Sequence, residues 1–369
     1  MKVLHVFNEL KYSGAEIMYV GASNLFLKNK FDLTAISTGD NVGVYSNKFE
    51  SAGYEVCHKA LPPTKHFLGR IRYIIWLIKF LRVKQFDLVH IHRADAKFIF
   101  SLCAWINGKK SIYTFHNVFK PKASTLLYHY TSRIIVKRIF HCTFQSISDS
   151  VYDNERLGYR NKTTLVHNWV DKSNFYPADI EEKQKLREEL NIDKETFVIV
   201  TVGGCSHVKR HTDVIRAIKE LVDRGLDVLY LHLGSGLDEP TEKTLTAKLG
   251  LQDKIQFLGN QNDVRKYLVV SDVYAMPSKY EGLAISTLEA FACGLPCVLY
   301  NVPGLRDFNL RTECSLLVSS DFSVMATKIY EIREDRLLRE KLVKNALNEI
   351  NEIYDMVKNT DRIMSLYLK

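Results

Sequence analysis

The stretch SKYEGLAISTLEAFACG, Ser278 to Gly294, follows the apolar run Val273 to Met276 and decides how the rest of this 369-residue chain is read. Val273-Tyr274-Ala275-Met276 has the length and composition of a short buried strand, which Pro277 and Ser278 end. Gly282 permits a tight turn into Leu283 to Cys293, where Leu283, Leu288, Phe291 and Ala292 suit one packed helix face. Strand, glycine turn and helix start together present backbone N–H groups at the positive end of a helix dipole. A phosphate is the natural ligand for such a tip. Glu281 precedes the helix and Glu289 lies two turns in. At ~1.5 Å per residue the carboxylates are offset by about 12 Å, the span from one end of a sugar diphosphate to its ribose. On that spacing Glu289 would accept from ribose hydroxyls and Glu281 would lie near the sugar. The plainer reading is two solvated acids at a helix start, the end that acids favour.

Glu281-x7-Glu289, followed by Gly294-Leu295-Pro296, is similar to the pattern of the retaining glycosyltransferases of family 4. That resemblance implies the GT-B fold, two Rossmann-like doubly wound α/β domains facing across a cleft, with a C-terminal helix crossing back to the first. Further blocks resemble the family in order. Ser13-Gly14-Ala15-Glu16 sits where the family carries a glycine-rich turn after the first strand, with Ser13 replacing the usual glycine. Gly14 can bring backbone N–H groups close to a diphosphate. Phe86 to His92 and Thr114 to Asn117 resemble the next two blocks. His116 closes a strand at the carboxyl edge of the sheet, where doubly wound folds hold ligands, and matches the family's histidine beside the donor sugar. His90 and His92 would share a strand face, but no third metal ligand stands at a recognisable spacing, so hydrogen-bonded strand-end histidines are expected. Thr164 to Asp171 resembles the interdomain junction, with Trp169 replacing glycine and His167 and Asn168 expected to tie the linker to backbone groups.

Thr201 to His211 resembles the block in which an Arg and a Lys grip the diphosphate together. Lys209 is kept, whereas Gly204 stands where the family has Arg, so either Arg210, His207 or Arg306 is expected to substitute or the site is expected to lean harder on helix dipoles. The resemblance thus implies His116 and Glu281 as catalytic residues, and Gly14, Lys209, Gly282, Leu283, Ala284 and Glu289 as donor-binding residues. The implied reaction moves a sugar from a nucleoside diphosphate to an acceptor hydroxyl with retained configuration, through an oxocarbenium-like transition state. No two aspartates are separated by one residue, so no metal is expected on the diphosphate and no cofactor is needed. Stabilisation of the leaving group is where most of the catalysis should arise.

The chain as a whole agrees with two domains. Strand-like runs at Lys2–Phe7, Leu33–Ser37, Glu55–Cys57, Leu88–Ile91, Ser111–Phe115, Cys142–Ile147 and Thr163–Val166 alternate with helix-length segments, the first spanning Ala15–Lys28. A second series begins after the linker Asp171–Pro177 with Thr196–Val202, Val228–Leu233, Lys254–Leu258, Val273–Met276 and Pro296–Leu299. Such βαβ alternation predicts two parallel sheets. The expected division is an acceptor domain at 1–170, a nucleotide-sugar domain at 171–345 and a crossover helix at 346–369. With 46% apolar residues the chain can fill two cores. Its seven cysteines are scattered and odd in number, so reduced buried thiols without a metal site are expected.

Charge is unevenly spread. Residues 1–170 carry 24 Lys+Arg against 11 Asp+Glu, net +13, while residues 171–369 are net −4. A basic half fits an anionic partner, and with no nucleic-acid-binding signature a membrane surface or lipid phosphate is the better match. His66 to Arg82 and Lys120 to Arg138 combine apolar, aromatic and basic residues. They are expected either to rest on anionic headgroups and bring a lipid-linked saccharide acceptor to the site, or to be crossover helices with snorkelling cations. No run of about 18 apolar residues occurs and Met1-Lys2-Val3-Leu4 opens straight into a strand, so a cytoplasmic protein, peripheral at most, is expected. The competing classes are a nucleotide-sugar epimerase or phosphorylase of related shape, and a non-catalytic nucleotide-sugar-binding or scaffold protein. Gly204 favours the last and the two glutamates oppose it.

Overall fold

The computed structural model describes residues 1–118 and 123–369. Its contacts divide the chain into two units, Met1–Asn168 with Met356–Lys369, and Trp169–Asp355. The first contains β1 (Lys2–Phe7), β2 (Asp32–Ser37), β3 (Glu55–His58), β4 (Leu88–Ile91), β5 (Lys110–Phe115), β6 (Thr143–Ser146) and β7 (Thr164–Leu165), in the order β3-β2-β1-β4-β5-β6-β7. Every pairing is parallel. Val3 to Phe7 and Leu88 to Ile91 are buried without alternation, as strands covered by helices on both faces must be. The expected helix Ala15–Lys28 is instead two, Gly14–Gly21 and Ser23–Lys28. Gly21 sits at the seam, where its low helix propensity favours a break.

The C-terminal helix Met356–Leu368 belongs to this first unit and packs on Ser23–Lys28. It buries Ile363, Met364 and Tyr367. The Tyr367 hydroxyl meets His90 Nδ1 at 2.6 Å, and its ring lies 5.9 Å from that of Phe26. Tyr367→Phe strands His90 Nδ1 in the core, so a loss of about 1–2 kcal/mol is expected. It is read as a lower urea midpoint at unchanged slope.

The second unit holds β8 (Phe197–Val202), β9 (Val228–Leu233), β10 (Ile255–Gly259), β11 (Val273–Met276), β12 (Cys297–Tyr300) and β13 (Leu316–Val318), in the order β10-β9-β8-β11-β12-β13. These pairings are parallel too. The strand order reverses between β8 and β11, which makes the loops at their carboxyl ends the ligand-binding crevice of the sheet. Strand β13 has no counterpart in the sequence reading, because three residues are too few to show a period. Residues 346–355 stay with this unit, since the helix Arg336–Glu352 lies inside it and the chain leaves only after Asp355.

Among the described residues no helix is long and apolar enough to cross a membrane. The helix Phe67–Val83 buries Tyr73, Leu77 and Leu81, yet leaves Phe67 72% and Leu68 69% exposed, with Ile75, Arg72, Lys79 and Arg82 also in solvent. In the second basic stretch, 120–138, Leu126, Leu127 and Tyr128 are exposed on the helix Leu126–Ile134. Lys120 and Lys122 lie outside the described residues.

Candidate active site

Two loops meet at the reversal point of the second sheet, one after β8 and one after β11. The first runs from Gly203 to Arg210 and ends where the helix His211–Asp223 begins. Lys209 therefore lies in the turn before that helix, not inside it. Its Nζ donates to Glu281 Oε1 at 2.7 Å, and the buried Ser278 hydroxyl donates to the same oxygen at 2.6 Å. Oε2 of Glu281 has no partner among the described residues and is the atom left for a ligand hydroxyl. The backbone fixes the glutamate from both sides: Lys279 N–H bonds to Val208 carbonyl at 2.8 Å and Glu281 N–H to Pro303 carbonyl at 2.9 Å.

Downstream, the helix is shorter than its sequence suggested, Ile285–Ala292. Gly282, Leu283 and Ala284 form a non-helical approach, with a bend at Gly282 and extended backbone at Ala284 (ψ 103), and no side chain caps the helix start. The start is consequently ready for an anion. Because three of the residues between the two glutamates, Gly282, Leu283 and Ala284, are not helical, the 12 Å axial offset inferred from an unbroken helix does not apply. Glu289 is not a solvated acid either. It is 7% exposed, and burial pushes its carboxyl up to about 7.

In the first unit, Gly14 is the opening residue of Gly14–Gly21, with extended Ser13 ahead of it and the Ser13 hydroxyl donating to the buried Glu16. His116 follows β5 directly. Its Nε2 lies 3.1 Å from His92 Nδ1, and His92 Nε2 lies 3.1 Å from His5 Nδ1, so three rings form a chain reaching into the core. Burial lowers His116 to about 4, which makes it a neutral imidazole at ordinary pH. His90 behaves as expected, hydrogen-bonded at Nε2 to Thr114 as well as at Nδ1 to Tyr367. The neighbour that sequence spacing could not supply is His5, placed beside His90 by the register of β1 and β4. His167 pairs with the Asp149 carboxylate at 2.8 Å, while the Asn168 N–H bonds to the Ile147 carbonyl.

The substitutes suggested for the absent arginine have other partners. Arg210 is paired with Asp213 at 2.6 Å, His207 with Lys279, and Arg306 with the Asn301 carbonyl. At Gly204 itself a Cβ would sit 3.3 Å from the Ser235 carbonyl, so any side chain there crowds the loop after β9. Ser278 and Gly304 are site residues that sequence reasoning passed over. Gly304 has φ +82, and a Cβ on it would come within 2.3 Å of the Glu281 carbonyl oxygen.

Two parallel doubly wound units, with a lysine, a carboxylate and an uncapped helix start at the reversal point of the second, define the GT-B class of sugar-transferring enzymes. Family models agree: "Glycosyltransferase Family 4" matches residues 12–174 and "Glycosyl transferases group 1" matches residues 182–349. The chain belongs to the glycosyltransferases of the family 4 type. It is 27% identical over 80% of its length, and 78% of the relative's, to UDP-Gal:alpha-D-GlcNAc-diphosphoundecaprenol alpha-1,3-galactosyltransferase of Escherichia coli. It is 23% identical over 99% of its length, and 96% of the relative's, to the putative glycosyltransferase EpsF of Bacillus subtilis. The crystal structure of Anabaena HepE in complex with UDP and glucose shares the fold, with a TM-score of 0.85, 18% identity and 99% of both chains covered.

The crowding beneath Glu281 gives a direct expectation. Gly304→Ala must push the Glu281 backbone aside, and misplacing a reacting group by an ångström lowers turnover by about 10-fold to 100-fold. Transfer kinetics should show the loss in kcat.

Proposed function

We propose that the protein is a metal-independent, retaining glycosyltransferase that moves a sugar from a UDP-sugar to a hydroxyl of a lipid-diphosphate-linked saccharide during surface polysaccharide synthesis. The observation that carries the reading is the Lys209–Glu281 pair standing before an uncapped helix start at the strand-order reversal. In this reading the pyrophosphate lies on the N–H groups of Gly282 to Ala284 with Lys209 beside it, and Glu289 accepts from the ribose. Glu281 Oε2 holds a sugar hydroxyl. As the bond from C1 to the phosphate oxygen breaks, its electrons go to the phosphate. The acceptor oxygen bonds C1 on the same face and its proton passes to the departing phosphate.

The acceptor class rests on two supports. The Escherichia coli relative's name specifies a diphosphoundecaprenol acceptor, and the helix Phe67–Val83 exposes apolar and basic residues together, as a surface resting on anionic headgroups does. That face also supports peripheral attachment to the inner side of the cell membrane. Liposome flotation tests it: binding that weakens with salt is expected, and none at low ionic strength overturns it.

For the reaction, UDP at about 100 times its Kd should stabilise the native state by about 2.7 kcal/mol, seen as a raised Tm. A UDP-sugar should release UDP slowly without acceptor, and adding magnesium or manganese should leave that rate unchanged. The second reading, a non-catalytic binder, is favoured by Gly204 alone. It predicts the same thermal shift with no UDP release from any UDP-sugar. If neither a shift nor release is seen with any nucleoside diphosphate or its sugar, both readings fail.

A further inference from the structure

We propose that the second unit contains a structural zinc site made by Cys205, His211, His232 and Glu242. One ligand atom from each lies within 4.8 Å of every other, and all four side chains are buried. The four come from separate elements: Cys205 from the loop after β8, His211 from the first position of the following helix, His232 from β9 and Glu242 from the helix Glu239–Lys248. Their spacing in sequence matches no familiar metal motif, which is why the cysteine pattern alone gave no sign of it.

The edges of the cluster have tetrahedral size. His211 Nδ1 and His232 Nε2 are 2.8 Å apart, the Glu242 oxygens lie 3.4 Å and 3.2 Å from them, and Cys205 Sγ is 3.8 Å from His232 Nε2. With Zn–N near 2.0–2.1 Å and Zn–S near 2.3 Å, a tetrahedron has N–N and N–O edges of about 3.3 Å and N–S edges of about 3.6 Å. Shifts of a few tenths of an ångström therefore seat the ion. Hydrogen bonding alone accounts poorly for the same atoms, since a single proton can lie between the two ring nitrogens. Glu242 Oε2, which faces His232 Nε2, is buried without a hydrogen bond.

Charge and chemistry select the ion. Among the described residues no lysine or arginine pairs with Glu242, which is 1% exposed. A divalent cation with one thiolate, one carboxylate and two neutral imidazoles is neutral overall, the condition a buried site needs. On binding, the thiol proton leaves to solvent and the Zn–S bond forms, with no change of oxidation state. A mixed sulfur, nitrogen and oxygen set of four, with no open position, is a closed structural zinc site.

Its consequence is positional. Cys205 and His211 stand at the two ends of the turn that carries Lys209, and the ion anchors both ends to β9 and to the helix beyond it. The turn is already held close, since Gly236 allows the Cys205 carbonyl an approach that a Cβ would block at 2.3 Å. The zinc would complete that clamp.

The test uses the full chain without a polyhistidine tag. Elemental analysis of protein expressed with zinc should find about one zinc per chain, and Cys205→Ser with His232→Gln should reduce it at least tenfold. Cobalt substituted into the native chain should give tetrahedral visible bands and a thiolate-to-cobalt charge-transfer band, the latter lost in Cys205→Ser. The cobalt spectrum of the unaltered chain stands even where the double variant does not fold. Folded protein with only trace zinc, or cobalt bound without the thiolate band, overturns the site. Neither readout depends on sugar transfer, so the zinc site and the proposed reaction can fail separately.

Discussion

Glu281→Gln is expected to lower kcat for sugar transfer by about 100-fold to 1,000-fold, the range for losing one preorganised electrostatic contact in an active site. The glutamine keeps the shape and can still accept from Ser278 and Lys209, so the fold should hold. What disappears is the negative charge at Oε2, the one oxygen of Glu281 not already engaged by those two donors. In the proposed role Lys209→Met should act differently, raising the donor KM as well as lowering kcat, because the charge-assisted contact that reading gives it with the diphosphate would be lost in ground and transition states alike. Since the two side chains touch, their effects should not add. The double variant should be at least about 0.5 kcal/mol less impaired than the sum of the singles. Unchanged kcat in Glu281→Gln would remove this residue from the reaction, and additive effects would show that the ion pair has no part in setting its geometry.

Most of the scaffold could be read from residue pattern because a buried parallel strand writes itself as an apolar run. Lys2–Phe7, Leu88–Ile91, Val228–Leu233 and Val273–Met276 have the bounds their sequence suggested. β13 escaped because it is three residues long, and the start of the helix at Ile285 shifted because Leu283 and Ala284 are apolar whether helical or extended. Two motif residues distant in sequence, Glu281 and the lysine before a helix, are brought into contact by the fold. The site was not legible where partners meet only through strand order. His5 reaches His92, and through it His116, because β1 lies beside β4, and Gly304 reaches Glu281 through a carbonyl contact that leaves no trace in composition. The zinc-type cluster belongs to the same category, since four elements must be folded before its ligands are neighbours. Glu289 shows the opposite case: its position in the motif was plain, but its burial, and with it its protonation, could not be inferred from spacing.

That burial leads to an expectation in pH. Glu289 titrates near 7 in the folded chain because burial disfavours its charge, while the neighbouring Cys293 thiol, pushed up to about 12 by burial, stays neutral alongside it. In the unfolded chain the carboxyl returns to about 4.3. Between these values the native state binds the extra proton, so stability falls as pH rises from about 4.5 to 7 and the full cost, about 3 kcal/mol, is present above 7. Glu289→Gln should therefore match the parent at pH 4.5 and exceed it by about 3 kcal/mol at pH 8 in urea unfolding. In the proposed role the same charge accepts from the ribose. UDP should then bind more tightly as pH rises through 7, and below 7 binding should release a proton, measurable by calorimetry in buffers of different ionisation enthalpy. The glutamine variant should weaken UDP binding by about 10-fold to 100-fold, the worth of hydrogen bonds to a charged acceptor, and should flatten that pH dependence. A variant that is stabilised at pH 8 yet binds UDP as before would make Glu289 a buried acid without a ligand. A variant that loses both the pH-dependent stability cost and the UDP affinity would show that the fold tolerates an unfavourable buried carboxylate at this position because the nucleotide requires it.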